Sequence, residues 1–255
     1  MRRLSVIIPA YNNAAAVLTC LNSLQALSRH PVQYHVQDDA SPDMAYAPLI
    51  SARVASTARN TGNLGFAGNC NAGAQHAIGD VLVFVNQDIS AVYGWSEGWD
   101  EALSAAFDDE RVGIVGPRLL FPNGYLQSAG GAFDQAAQPV HRCLGWSDVK
   151  HASIGEPADV PWVTGAVLAI RRELFDALGG FDTAYRMYFE DVDLCLRAGE
   201  RGAIVRYWPA CTLIHPAGST GGSPHFGASA RTFKARWVDS GKITPGSLIP
   251  TVRYW

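Results

Sequence analysis

Apolar positions along this chain fall in short, β-branched runs separated by stretches of helical spacing, the pattern of an alternating α/β architecture. Leu4 to Ile8 reads as a buried strand that stops at Pro9, Ala10, Tyr11, Asn12 and Asn13. Asn13 can cap the helix that follows, where Val17, Leu21 and Leu24 share one face. Val32, Tyr34 and Val36 alternate as in a second strand, which runs into Asp38, Asp39, Ala40, Ser41, Pro42 and Asp43. After a weak segment containing Pro48, an edge strand is expected at Val54 to Ser56. Arg59 to Gly73 is rich in small and amide residues and suits a loop entering a helix, with Phe66, Cys70 and Ala74 facing inward. Val81 to Val85 is a further buried strand and runs straight into Asn86, Gln87 and Asp88. Trp95, Trp99, Leu103 and Phe107 follow at helical spacing, and Val112 to Val115 forms a strand closed by Gly116 and Pro117.

The second half is less regular. Phe121 to Pro161 shows no sustained period and is expected to be a functional loop. Trp162 to Ile170 is an apolar segment interrupted by Thr164 and Gly165, and a helix over Arg171 to Leu178 meets its stop signal at Gly179 and Gly180. In Met187 to Arg197, the acids Glu190, Asp191 and Asp193 precede an apolar stripe at Val192, Cys195 and Leu196. That spacing places three carboxylates at a helix N-terminus. Ile204 to Tyr207 reads as a late strand, followed by a loop with His215, Pro216, Gly218 and Ser219. From Gly221 the chain is polar and irregular apart from Arg231 to Val238.

Composition narrows the class. A length of 255 residues suits one α/β domain with an elaborated second half. Hydrophobic residues at 48% against 17% charged exclude a disordered chain and give no sign of a membrane protein. A net charge of −3 with scattered basic residues argues against a nucleic-acid partner. The five cysteines are odd in number and widely spaced, so neither a disulfide framework nor a zinc knuckle is suggested, and a reducing cytosol is expected. The run Leu4 to Ile8 is too short for a signal core or a membrane span, so any work at a membrane would be by docking.

Acids at strand ends carry the first chemical hint, because ligands of open parallel sheets bind at the carboxyl ends of the strands. Asp38 could accept from a ribose hydroxyl or a base N–H, although Asp, Ser and Pro there also suit a plain turn. The glycine-containing stretch could offer backbone N–H groups to a diphosphate, but it has neither a Walker lysine nor Gly-x-Gly-x-x-Gly. Asp88 can hold a divalent cation through hard oxygen. Among the acids near 190, a helix N-terminus favours an ionised carboxylate that can serve as a base, and the same acids could simply cap the helix. Asp193 is set apart by Arg197 four residues on, an ordinary ion-pair spacing. His215 could be structural or a ligand. Trp162 could stack on a sugar or fill core, and Cys195 packs.

In their order, these segments resemble the inverting nucleotide-sugar glycosyltransferases of family 2, with the GT-A fold, and within them the bacterial rhamnosyltransferase-like group. The resemblance spans about residues 4 to 220. Ser5 to Asn12 looks like the family's opening strand, Asp38 to Ser41 like its Asp-Asn-Ala-Ser turn, and Asn63 to Gly73 like its Asn-x-Gly-Phe-Ala segment. Asn86 to Asp88 stands where the family has Asp-x-Asp or Asn-x-Asp. Trp162 to Ile170, Gly179 to Asp182 and Tyr188 to Leu194 are similar to its acceptor-side and Glu-Asp segments.

The resemblance implies a Rossmann-like, mostly parallel sheet flanked by helices, a nucleotide-sugar half over residues 1 to 117, an acceptor and catalytic half over 118 to 220, and a C-terminal extension over 221 to 255. Pro9, Tyr11, Asp38 and Asp39 would receive base and ribose, and Arg59, Asn63 and Gly65 would line the donor pocket beside Asn86, Gln87 and Asp88. Asp88 would bind Mn2+ or Mg2+, with His215 as a further ligand. Asp191 would be the general base, Glu190 would orient donor or acceptor, and Trp162 and Gly165 would lie on the acceptor side. Asn86, in place of a first carboxylate, lowers the negative charge of the metal site. The implied donor is dTDP-rhamnose or a UDP-sugar. The implied acceptor is a lipid-linked saccharide in bacterial surface polysaccharide synthesis, reached from the cytoplasm at the inner face of the membrane. Two other functions remain open: a binding-only nucleotide-sugar or glycan domain, and a sugar-nucleotide pyrophosphorylase, the latter disfavoured because Pro9 to Ala16 holds no Lys or Arg.

Overall fold

The computed structural model describes residues 2–42, 56–216 and 225–243. Strand β1 (Leu4–Ala10) is buried throughout, and β2 (Gln33–Asp38) nearly so. Between them lies α1 (Ala14–Leu27), whose first turn is capped by the Asn13 side chain accepting from the Ala16 N–H and whose buried face includes Val17, Leu21 and Leu24. β3 (Ser56–Arg59) extends the sheet; Val54, like Pro48, lies outside the described residues. Helix α2 (Gly65–Ala74), β4 (Val81–Val85) and α3 (Trp99–Ala105) complete the first half. The helix begins at Trp99, so Trp95 sits in the turn before it, 37% exposed, while Leu103 is in the core.

β5 (Val112–Leu120) runs past Gly116 and Pro117, where a stop was expected. Pro117 pairs with Trp208, where the register of the neighbouring strand shifts before Thr212, and such an irregularity is a place where a strand accommodates proline. Residues 121–161 hold β6 (Leu126–Ser128), the hairpin of β7 (Gly131–Phe133) and β8 (Pro139–His141), the one-turn helix α4 (Ala152–Gly155) and β9 (Ala158–Asp159). Strands of two or three residues are too short to show alternation, which is why this stretch looks patternless in sequence. β10 (Val167–Arg171), α5 (Arg172–Leu178), α6 (Glu190–Glu200), β11 (Ile204–Ile214) and α7 (Phe226–Phe233) follow, the last running into a π-helical turn at Lys234–Val238. Gly179 ends α5 in the left-handed region at φ 74°.

Among the described residues the main sheet runs β3-β2-β1-β4-β10-β5-β11-β9, with β6 beside β5. β10 is antiparallel to both its neighbours, β4 and β5, while β1, β2, β3 and β4 run parallel, as do β5 and β11. Alternation along β1 sends Val6 and Ile8 to one face, against α1 and α3, and Ile7 to the other, against α2 and α5 to α7. Phe233 and Trp237 belong to that second core, so residues 225–243 pack as part of the domain.

Candidate active site

The parallel arrangement brings the ends of β1 and β4 together, and a cleft of about 550 Å³ opens there. Pro9, Tyr11, Asp39, Asn63, Gly65, Asn86, Gln87, Asp88 and His215 all line it. Gln87 fixes the loop after β1 from across the cleft: its Oε1 accepts from the Tyr11 N–H at 2.9 Å and its Nε2 donates to the Tyr11 carbonyl at 3.2 Å. Gln87 therefore holds backbone, leaving the half-exposed Tyr11 ring at the rim.

The acids after β2 depart from the expectation that both face a nucleoside. Asp38 and Arg59 are not among the cleft-lining residues described. Asp38 accepts from the Ser41 N–H and pairs with Arg59, which also donates to the Ser41 carbonyl at 2.7 Å. They close the β2–β3 end on each other. Asp39 does reach the cleft, but its carboxylate accepts from Leu64 N at 2.7 Å, Gly65 N at 2.9 Å and Asn60 Nδ2 at 2.8 Å. It supplies the negative charge that the start of α2 lacks, since Leu64 makes no side-chain cap. Gly65 sits at φ 76°, and a Cβ there would meet the Arg186 Cγ and carbonyl oxygen at 2.6 Å. Arg186 in turn donates to Asn63 Oδ1 at 2.7 Å, and Phe66 N donates to the Arg186 carbonyl at 3.0 Å.

On the opposite wall, Asp88 Oδ1 and His215 Nε2 stand 3.3 Å apart, both largely buried. Adjacent ligands of an octahedral cation with bonds of ~2.1 Å are about 3 Å apart, so this pair fits one edge of such a shell. No group of three or more His, Cys, Asp or Glu side chains able to hold a cation occurs among the described residues. The protein thus offers a carboxylate and an imidazole, and the oxygens of a diphosphate would suit the rest of a hard-cation shell.

A second cleft of about 350 Å³ adjoins the first and shares Phe66, Asn86, Met187 and His215 with it. Trp162, Gly165, Glu190 and Asp191 line it, beside His141 and Phe226. Asp191, at the start of α6, accepts from Gly165 N at 2.7 Å through Oδ2 and from Val192 N at 2.8 Å through Oδ1. Burial raises its pKa from the ordinary value, and those N–H groups pull it back toward the charged form. Glu190 is buried, and its Oε2 has no hydrogen-bond partner among the described residues. Burial, reinforced by the Asp191 charge, pushes its pKa well above the usual carboxylate range. Trp162 is mostly core: its indole N–H donates to the Ala132 carbonyl at 3.0 Å and its ring lies against Gly131, where a Cβ would have no room. Trp162 is 4% exposed and yet borders the cleft.

Residues 5–130 match glycosyl transferase family 2. The chain belongs to this family. An N-acetylglucosaminyl-diphospho-decaprenol L-rhamnosyltransferase of Mycobacterium tuberculosis is 29% identical over 87% of this chain and 78% of its own length. The O-antigen biosynthesis protein RfbC of Myxococcus xanthus is 28% identical over 84% of this chain but only 17% of its own. The crystal structure of GalNAc-T7 with UDP, GalNAc and Mn2+ superposes with a TM-score of 0.70 at 20% identity, covering 93% of this chain and 48% of that one. That likeness establishes the GT-A fold, and the relatives place the chain in the rhamnosyltransferase-like group of family 2 glycosyltransferases.

In this glycosyltransferase the Glu-Asp turn is strained and held from outside. Tyr188 and Phe189, two bulky residues, adopt φ 68° and 69° just before Glu190, a conformation that costs on the order of 1–3 kcal/mol each. Phe226 packs on both rings with centroids 5.5 and 5.6 Å away, and Phe233 stacks on Phe189 at 5.0 Å. Ser229 donates to the Met187 carbonyl at 2.7 Å. The stretch from 225 onward, in which the sequence marks only Arg231 to Val238 as regular, thus buttresses the carboxylates. Arg186, Phe226 and His141 escaped the sequence reading. Arg186 alone had a local signal, a lone cation directly before the aromatic-acidic stretch.

Proposed function

We propose that this glycosyltransferase is a metal-dependent, inverting enzyme that moves rhamnose from dTDP-rhamnose, or a hexose from a UDP-sugar, to a saccharide acceptor in bacterial surface polysaccharide synthesis. The observation that carries the reading is the meeting of two clefts: Asp88 and His215 line the first, Asp191 lines the second, and Asn86, Met187 and His215 border both. The nucleotide would lie in the first cleft along Pro9, Tyr11 and Gln87, and the acceptor would enter the second. Asp88 and His215 would hold Mg2+ or Mn2+, which when bound neutralises charge on the departing diphosphate. Asp191, whose charged form is favoured by the Gly165 and Val192 amides against the opposing effect of burial, would take the proton of the attacking hydroxyl as that oxygen displaces the nucleotide from the opposite face of the anomeric carbon. Glu190 would donate from its buried carboxyl to a sugar hydroxyl.

A lipid-linked acceptor draws support from the mycobacterial relative, whose name specifies a decaprenol-linked one. We accordingly place the enzyme at the cytoplasmic face of the membrane, held peripherally; no helix among the described residues is long and apolar enough to cross one. Release of nucleoside diphosphate from a panel of dTDP- and UDP-sugars, with Mn2+, Mg2+ or EDTA, tests the proposal. Cleavage of one donor only with metal is the expected result. Donor binding without turnover, even with lipid-linked acceptor supplied, would point to the binding-only alternative.

A further inference from the structure

Gln127 in β6 is almost fully buried and grips His215 at two points. Its Nε2 donates to the His215 carbonyl at 2.9 Å, and its Oε1 lies 2.7 Å from His215 Nδ1. The first contact dictates the second. A backbone carbonyl only accepts, so the amide nitrogen must face it, and the amide oxygen is left facing the ring. That oxygen can only accept, so Nδ1 carries the proton. In the neutral ring the lone pair then sits on Nε2, the atom 3.3 Å from Asp88 Oδ1.

With the ring neutral, its Nε2 lone pair and the Asp88 carboxylate, with side chains only 12% and 16% exposed, face each other as two acceptors, an arrangement that either a second ring proton or a divalent cation in its place would settle. The His215 backbone is fixed as well, its N–H donating to the Leu120 carbonyl at 2.9 Å, so the ring cannot simply swing away with its loop. We propose that Gln127 is a positioning residue that locks His215 in the Nδ1–H tautomer and so presents its Nε2 lone pair, with the Asp88 carboxylate, to a divalent cation. The inference rests on the metal-dependent reading above. Partners of this kind set ring orientation and basicity, and their loss commonly costs 10- to 100-fold in metal affinity.

Two readouts test it on the full chain. The ring nitrogens of His215, followed by long-range 15N NMR in metal-free protein at a pH where the ring is neutral, should show the proton on Nδ1 in the wild type. In Gln127→Leu the proton should redistribute toward Nε2. In Gln127→Glu, whose carboxylate still accepts from Nδ1, it should stay. Mn2+ affinity in the presence of UDP or dTDP, read by electron paramagnetic resonance, should fall ~10- to 100-fold in Gln127→Leu and much less in Gln127→Glu. An unchanged tautomer in a folded Gln127→Leu protein overturns the proposal, as does a Gln127→Glu variant that loses the tautomer too. If the wild type fails to bind Mn2+ with either nucleotide while showing the Nδ1–H tautomer, the metal reading itself fails, and this role of Gln127 goes with it.

Discussion

Trp237 donates its indole N–H to Asp193 at 2.9 Å, two residues beyond the carboxylate assigned as the base. Asp193 is wholly buried and also takes Arg236 at 2.8 Å and Arg197 at 2.7 Å. The ion pair foreseen within α6 is therefore half of a larger anchor that ties α6 to the C-terminal π-helical turn. Trp237→Phe removes one hydrogen bond to a charged group and should cost ~1.5–3 kcal/mol of stability. Asp193→Ala takes the buried carboxylate from Arg197 and Arg236, of which Arg236 keeps Asp182 at 2.6 Å, and should cost ~3 kcal/mol. Urea denaturation measures both; a Trp237→Phe protein as stable as the parent would show that the anchor does not depend on the indole.

Asp191→Asn removes the proposed base with little change of volume, although its amide nitrogen must face one of the two N–H groups, of Gly165 or Val192, that the carboxylate accepts from. Turnover should drop roughly 100- to 10,000-fold, with donor affinity in calorimetric titration nearly unchanged. Asp88→Ala should do the reverse, weakening donor binding in the presence of Mn2+ while leaving metal-free nucleotide binding much as it was. If both variants behave alike, the division of labour between the clefts is wrong.

Burial sets a pH signature for the acidic pair. Glu190 and Asp191 hold protons more tightly in the folded protein than in the unfolded chain, where such groups ionise near pH ~4. Below that point both states are protonated and the stability is fully present. As pH rises from there toward the raised folded values, the unfolded chain releases its protons while the folded state still holds them, and stability falls. Glu190→Gln removes the larger part of that loss. It should match the parent near pH ~4 and exceed it near neutrality, when thermal melts of the two are compared across pH. A difference that grows toward acid instead would reverse the sign of the argument.

Gly65→Ala tests the docking of residues 186–187 on the start of α2. The substitution adds a side chain at φ 76° and drives it against Arg186, so roughly 1–2 kcal/mol of backbone strain accompanies a shifted cleft wall. Donor KM should rise more than kcat falls. An unaltered KM would mean that the wall at Arg186 takes no part in donor binding.

The first half of this fold was legible because its strands are long enough to show their burial and end in polar residues that mark the sheet's ligand edge. β1, α1, β2 and β4 lie close to where the apolar spacing puts them, and Asp88, Glu190 and Asp191 all line the joined clefts. The rest hid for physical reasons. Asp38 and Arg59 look like ligand-binding residues in sequence, yet 21 positions apart they satisfy each other. Trp162 carries no sign of the glycine 31 residues upstream that makes room for its ring. Gln127 gives no hint of His215, because their link joins residues 88 apart, one in β6 and the other just past the end of β11.

The placement of β10 bears on how the chain can be made. A ribosome delivers β4 and β5 well before β10, yet β10 is the strand that fills the gap between them. Until residue 171 has emerged, two apolar strands present bare hydrogen-bonding edges, the kind that recruit strands from other molecules. The stretch that carries the family signature, residues 5–130, contains both edges and not the strand that seals them. Produced by itself it should aggregate, whereas a chain extended through residue 243 gains the closing strand and the buttress on α6 together.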